Sequence, residues 1–373
     1  VLPLVLHVLP VDLARGAQRY ARAMRRALDG DGARHRTLTL FRSDVTVLDA
    51  DVKLDLARSP SARYDLRVTL ALHAALRDLR PRIVVAHGSE PLKYLAAWPS
   101  RDAAVVYYKI GIATETLHRP LRRALHAGLL RRADWVAGVS QACLDEAADT
   151  FWVPRRRLVL IPNGRDVQCY RPGSTSDRAG APVLAFVGHL TPSKRPGLFV
   201  DVVARLRAAG VDVTAVMVGD GPLAPALAGP AAAAGVSMLG RRDDVPEILR
   251  SADLLLFTSI PEGEGMPGVF IEAGLSGVPI VATEVPGSRE VIREGETGFV
   301  VPHNHGELLI DRTRQLLTDA DLRARMGRAA RAHCAAHFSM EKSTALWASL
   351  VARVVRTDAR LERDVRARRS AGL

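Results

Sequence analysis

The sequence predicts an α/β fold made of two doubly wound units in tandem. Short apolar runs alternate with longer amphipathic ones through both halves of the chain, the rhythm of parallel strands covered by helices on both faces. The length, 373 residues, suits about two domains of ordinary size. A Pro-, Gly- and Ser-rich stretch without apolar periodicity, residues 171–182, separates two such series.

The first series opens with residues 1–9, an apolar run that reads as a buried strand. It is too short to span a membrane and has no basic flank before it, so it is not expected to be a leader. Amphipathic spacing predicts a helix at 16–28. Strands follow at 37–42, 83–86, 103–108, 135–139 and 158–161, with a strand-to-helix stretch at 64–78 and a helix at 121–130. The second series has strands at 183–187, 214–218, 254–257 and 279–282, with helices between them. The pattern after Met340 is helical and ends in a charged tail. The expected domains are 1–172 and 173–345, followed by a helical segment, 346–373, returning towards the first.

Composition narrows the class. Hydrophobic residues make up 48% and charged residues 25% of the chain, as in a soluble globular protein able to bury a core. Cys143, Cys169 and Cys334 are scattered and odd in number, which fits a reducing, cytoplasmic setting. The net charge is +12, and residues 1–172 hold 28 Lys and Arg against 17 Asp and Glu. A basic front half suits an anionic substrate, an anionic membrane surface or nucleic acid. Only 5 of the 52 basic residues are lysine, the mark of arginine filling solvated faces, and no nucleic-acid-binding motif is present. The helix at 122–132 carries Leu121, Leu125 and Leu129 on one face, with Arg122, Arg123, His126, Arg131 and Arg132 nearby. That pattern fits a membrane-surface helix, but a core-facing leucine stripe is the expectation.

In doubly wound folds ligands bind beyond the carboxyl ends of the strands, so the cleft between two such domains is the default site. The most informative stretch there is Thr258-Ser-Ile-Pro-Glu-Gly-Glu264-Gly-Met-Pro-Gly-Val-Phe-Ile-Glu272-Ala-Gly-Leu-Ser-Gly277, directly after a buried strand. Pro267 suits a first helical position and Gly277 the residue past the end. The turn thus presents a helix N-terminus, with unpaired amides suited to an anion such as a diphosphate. Gly265 and Gly268 allow close backbone approach. Glu264 and Glu272 accept hydrogen bonds, so a pair of them suits sugar and ribose hydroxyls.

Glu264 and Glu272, with their glycines, resemble the signature of retaining glycosyltransferases of family 4 with the GT-B fold, two Rossmann-like doubly wound domains facing across a cleft. Further segments resemble the family in the same order: Ile161-Pro-Asn-Gly-Arg-Asp166, Phe186-Val-Gly-His-Leu-Thr-Pro-Ser-Lys194, Val218-Gly-Asp-Gly-Pro222, Gly240-Arg-Arg-Asp-Asp-Val-Pro246, Pro286-Gly-Ser-Arg-Glu-Val291 and Gly298-Phe-Val-Val-Pro302. Arg15-Gly-Ala-Gln18 resembles half of the family's N-terminal glycine loop.

The resemblance implies a nucleoside-diphosphate sugar donor held by the second domain and an acceptor held by the first. Lys194 would neutralise the departing diphosphate, Glu264 would hold hydroxyls of the transferred sugar, and Glu272 the ribose. The backbone of Gly265, Met266, Pro267, Gly268 and Val269 would cradle the phosphates, Arg241 would border the base, and Gly16 would let the first helix approach the diphosphate. Two positions depart from the pattern. His189 stands where the family often has Arg, and Ile110-Gly111 where it often has His-Gly. His87, Lys109 and His118 are the candidates for the acceptor side, His87 as the catalytic histidine.

The expected function is therefore transfer of a hexosyl or N-acetylhexosaminyl unit from a UDP-sugar, with a GDP-sugar second, to an acceptor hydroxyl by a metal-independent front-face route. The acceptor is a lipid-linked glycan or a small metabolite, with peripheral membrane contact through the basic first domain and no nucleic-acid partner. A non-hydrolysing nucleotide-sugar epimerase and an inactive nucleotide-sugar-binding protein share the architecture and stay open. Other signals are set aside. Gly219-Asp-Gly-Pro222 is a turn, since Asp220 repels a pyrophosphate and Pro222 lacks an N–H. His333 and His337 lack a zinc protease's glutamate, and Asp49-Ala-Asp51 and Asp319-Ala-Asp321 lie away from the expected cleft.

Overall fold

The computed structural model describes residues 2–11, 16–28, 32–43, 50–58, 64–97, 103–113, 117, 119–173, 180–262 and 264–370. It resolves into two compact units, residues 1–164 with 340–373, and residues 165–339.

The first unit runs β1 (Leu4–Val11), α1 (Gly16–Leu28), β2 (Arg34–Phe41), β3 (Val52–Leu56), α2 (Leu66–Leu79), β4 (Ile83–His87), α3 (Ser89–Leu95), β5 (Ala104–Lys109), α4 (Pro120–Arg132), β6 (Trp135–Gly138), α5 (Gln141–Asp145) and β7 (Leu158–Leu160). Its sheet has the order β3-β2-β1-β4-β5-β6-β7 and its paired strands are parallel. The aliphatic runs of β1 and β4 are buried on both faces, as a sheet sandwiched by helices requires. Residues 64–78 form no strand. Asp65 caps α2 by accepting from the Arg67 amide, which fixes the helix start.

The second unit runs β8 (Val183–Val187), α6 (Pro196–Ala208), β9 (Thr214–Val218), α7 (Ala224–Ala233), β10 (Val236–Gly240), α8 (Val245–Ser251), β11 (Leu254–Phe257), α9 (Gly268–Leu275), β12 (Ile280–Thr283), α10 (Ser288–Val291), β13 (Gly298–Val301), α11 (Gly306–Thr318) and α12 (Ala320–His337). The strand order is β10-β9-β8-β11-β12-β13. In both sheets the order reverses once, between β1 and β4 and between β8 and β11. Loops leaving the two strands at such a point diverge to opposite faces and leave a crevice at the carboxyl edge.

The units exchange chain at Gly164 and at Met340, not at the expected 172 and 345. Residues just past Gly164 are tied to the second unit: the Arg331 guanidinium donates to the carbonyls of Val167 and Tyr170 at 3.1 and 2.6 Å. The last helix, α13 (Met340–Ser370), belongs to the first unit. Its Trp347 indole N–H donates to the Tyr20 hydroxyl at 2.9 Å, and Ser343 donates to the Pro162 carbonyl at 2.8 Å. Among the described residues no helix is long and apolar enough to cross a membrane.

Candidate functional site

The crevice of the second unit is built from the loops after β8 and β11. Past β8 the chain makes a single 3-10 turn, Pro192–Lys194, ended by Arg195 in a left-handed conformation (φ 46°). The loop after β11 grips this turn. The Thr258 hydroxyl donates to the Lys194 carbonyl at 2.8 Å and the Ile260 amide to the Ser193 carbonyl at 2.9 Å. The Lys194 ammonium lies 5.3 Å from the centre of the Phe257 ring and forms an ion pair with Glu264. Two residues 70 positions apart thus meet at the point where the strand order reverses.

Helix α9 follows at once. It starts at Gly268 with Pro267 as its cap residue and closes with Gly277 at φ 72°, one residue from the expected start. Its first amides, those of Gly268 and Val269, have no carbonyl four residues back within the helix. Glu272, on the same helix, accepts from Arg165 Nε at 2.7 Å. Sequence reasoning gave Arg165 no role, yet it orients Glu272. It also explains Gly268: a Cβ there would overlap the Arg165 guanidinium. Gly287 (φ 74°) has the same logic, since its Cβ would come within 2.6 Å of the Gly265 carbonyl.

His189 and Arg241 lie further along this edge. His189 Nδ1 is 3.2 Å from Asp220 Oδ1, and both side chains are exposed. Gly219 and Gly221 pack against the backbone of Gly188 and Leu190, where any Cβ would collide, so this segment is the turn its sequence suggests. Arg241 directly follows β10 and is exposed. Met266 is buried.

In the first unit, His87 ends β4 at the carboxyl edge. His7 shares hydrogen bonds of 3.0 Å with His87 Nε2 and with His35 Nδ1, a chain of three imidazoles across the sheet. His87 Nδ1 is buried without a hydrogen-bond partner. Burial drives the His87 pKa down to about 3 and holds His7 well below its ordinary 6.5, helped by neighbouring His87 and His35. These rings are neutral in the folded protein at physiological pH.

Lys109 has a different place from the one expected. It is fully buried and donates to the Gly111 carbonyl at 2.6 Å and to Glu146. Glu146 in turn accepts from the Ala113 amide at 3.0 Å. The ammonium is closed off from solvent and anchors the chain after β5. His118 lies outside the described residues, as does Arg15 of the N-terminal loop, while Gly16 opens α1. Asp319 caps α12 through the Leu322 amide, and the Asp51 carboxylate accepts from Thr37 and Arg25. Among the described residues no group of three or more His, Cys, Asp and Glu side chains is arranged for a metal ion.

Comparison with known proteins decides the family. The pattern described as Glycosyltransferase Family 4 matches residues 14–168, and that described as Glycosyl transferases group 1 matches residues 181–319. The chain belongs to the family 4, group 1 glycosyltransferases. It is 33% identical over 214 residues to a D-inositol 3-phosphate glycosyltransferase of Nocardia farcinica, covering 51% of this chain and 46% of that one. It is 31% identical over 240 residues to the N-acetyl-alpha-D-glucosaminyl L-malate synthase of Bacillus anthracis, covering 61% and 62%. The chain thus spans less than two thirds of the length of these relatives. Anabaena HepE, solved with UDP and glucose, superposes with a TM-score of 0.79 at 19% identity, over 94% of this chain and 100% of that one. The fold is GT-B.

The histidine chain and the buried Lys109 with its partner Glu146 are features of the first unit. Removing the Lys109 charge leaves Glu146 buried without its cation, which costs about 3–5 kcal/mol. Urea denaturation of Lys109→Met should show that loss. Unchanged stability with impaired catalysis would instead mark Lys109 as a ligand-binding group.

Acid should also destabilise the protein through its buried imidazoles. His126 is pushed down to about 4 by burial, with Lys109 adding to the effect. In the unfolded chain these histidines take up protons as pH falls through 6.5; folded, His87 does so only near 3. Their contribution is therefore complete above the unfolded value and declines below it, by about 1.4 kcal/mol per pH unit for each ring. Denaturation midpoints should drop between pH 7.5 and 5, a range where ordinary carboxylates stay ionised. A flat profile there would show that the rings charge freely in the fold.

Proposed function

We propose that the chain is a retaining glycosyltransferase. It moves a hexosyl or N-acetylhexosaminyl unit from a UDP-sugar, or less favourably a GDP-sugar, to an acceptor hydroxyl. The observation that carries this reading is the Lys194–Glu264 pair at the carboxyl edge, beside the opening amides of α9 and the Arg165-held Glu272. One cation and several amides suit a diphosphate, and the two carboxylates suit sugar and ribose hydroxyls. The choice of UDP is supported by HepE, whose structures hold UDP, UDP-glucose, or UDP with glucose.

In the mechanism, the bond between the anomeric carbon and the diphosphate oxygen breaks while the acceptor oxygen bonds to the same face of that carbon. The acceptor proton passes to the departing phosphate. Negative charge accumulates on the diphosphate as the bond lengthens, and the Lys194 ammonium and α9 amides stabilise it. Lys194 exchanges its partner Glu264 for the phosphate, which releases Glu264 for the sugar hydroxyls. Fixed positive charge from this chain replaces a bound metal in that step. The acceptor is a lipid-linked glycan or a small hydroxylated metabolite, bound by the first unit.

UDP at 100 times its dissociation constant should add about 2.7 kcal/mol of stability, read as a rise in melting temperature. Lys194→Ala should lower release of UDP from UDP-hexoses by about 10²–10³-fold. Glu264→Ala should abolish most of the same turnover. Turnover that survives Glu264→Ala unchanged would overturn the assignment.

A further inference from the structure

In the second unit Glu264 precedes α9 and Glu272 lies on it, and each is paired with a cation. The two pairs differ in kind. Lys194, bound to Glu264, is an ammonium whose side chain is 25% exposed. The Arg165 side chain, bound to Glu272, is 9% exposed, and that of Glu272 16%. The backbone of Arg165 is fixed as well. Its amide donates to the Phe338 carbonyl at 3.0 Å, and the residue forms a bridge with Ser339. The guanidinium passes over the first turn of α9 and fills the space that a Cβ on Gly268 would need.

Burial decides which pair can open. A lysine near solvent gives up one anion for another at little cost. Drawing Glu272 away from Arg165 would strand a buried guanidinium without its counter-ion, which is strongly unfavourable. Glu272 therefore keeps Oε1 on Arg165 Nε, at 2.7 Å, when a ligand arrives. Its other oxygen, Oε2, takes no hydrogen bond from the described residues. A carboxylate oxygen held in one place accepts a hydrogen bond and offers none. It fits a hydroxyl and repels a phosphate.

We propose that Arg165 is the positioning residue for ribose recognition, and that its grip on Glu272 makes the site select ribonucleotides over deoxyribonucleotides. Glu272 Oε2 accepts from a ribose hydroxyl, and a deoxyribose leaves that oxygen unpaired against the ligand. Arg165 acts through Glu272 and not on the reacting bond. It removes in advance the side-chain freedom that Glu272 would otherwise lose on binding. The inference rests on the nucleotide-sugar reading above and names the residue that sets its choice of ribose.

The test is calorimetric titration of the full chain with UDP, 2′-deoxy-UDP and 3′-deoxy-UDP, or with the guanosine set should UDP fail to bind. The wild-type chain should bind the ribonucleotide at least about tenfold more tightly than one of its deoxy forms. Arg165→Met should bring the two affinities close to equal, and Arg165→Lys, which keeps the charge, should retain part of the preference. Gly268→Ala forces the guanidinium off Glu272 and should level the affinities in the same way. In a Glu272→Ala background, Arg165→Met should change the ratio no further. Each ratio is read within one variant, so a loss of stability does not imitate the effect. A preference that Arg165→Met leaves intact or increases overturns the proposal and leaves the transferase reading standing, as does equal binding of all three ligands by the wild type. Binding of neither UDP nor GDP overturns the transferase reading and this inference with it.

Discussion

The ion pair between Lys194 and Glu264 is the interaction on which the second unit's site depends. Lys194 ends a single 3-10 turn, and Glu264 lies between β11 and α9. Each sits in a loop, and the loops are brought together because β8 and β11 are neighbours in a sheet whose order reverses between them. The Thr258 hydroxyl and Ile260 amide hold the backbone of the Lys194 turn in place, and Glu264 and the Phe257 ring are the ammonium's own contacts. A pair that is partly exposed has little worth for stability. Under the proposed function its consequence is chemical: the lysine would exchange its carboxylate partner for a phosphate.

The surrounding glycines follow from the same crowding. Gly268 leaves room for Arg165, which holds Glu272, and Gly287 lets its turn lie on Gly265. Gly219 and Gly221 let a second turn press on Gly188 and Leu190. These glycines serve protein–protein backbone contact within the unit as much as ligand approach. Arg165 also shows why the unit boundary falls at Gly164. The chain beyond it is bonded to the second unit by its own side chain and by Arg331.

The sequence made the strand rhythm and the Glu264–Glu272 turn legible because their signals are local: apolar runs, prolines and glycines at set offsets. Strand β3 escaped because it is a short edge strand, part exposed and broken by charged residues, and α3 because it is a single short helix entered through Gly88 at φ 85°. Lys109 was legible as a strand-end residue, but its burial depends on Glu146, 37 positions away. His87 was legible at the end of its strand, and its partners on β1 and β2 were not. For α4 the leucine spacing revealed a stripe but could not say which side of the helix the sheet would cover: Leu121 and Leu125 are exposed, and His126, Ala127 and Leu130 are buried.

The central claim is that a diphosphate docks where Lys194 and the first amides of α9 converge. A crystal structure of the protein with UDP tests it most directly. The account predicts the diphosphate within hydrogen-bond reach of the Lys194 ammonium and the Gly268 and Val269 amides, with Glu272 on the ribose. UDP bound elsewhere, with Lys194 still paired to Glu264, would contradict it.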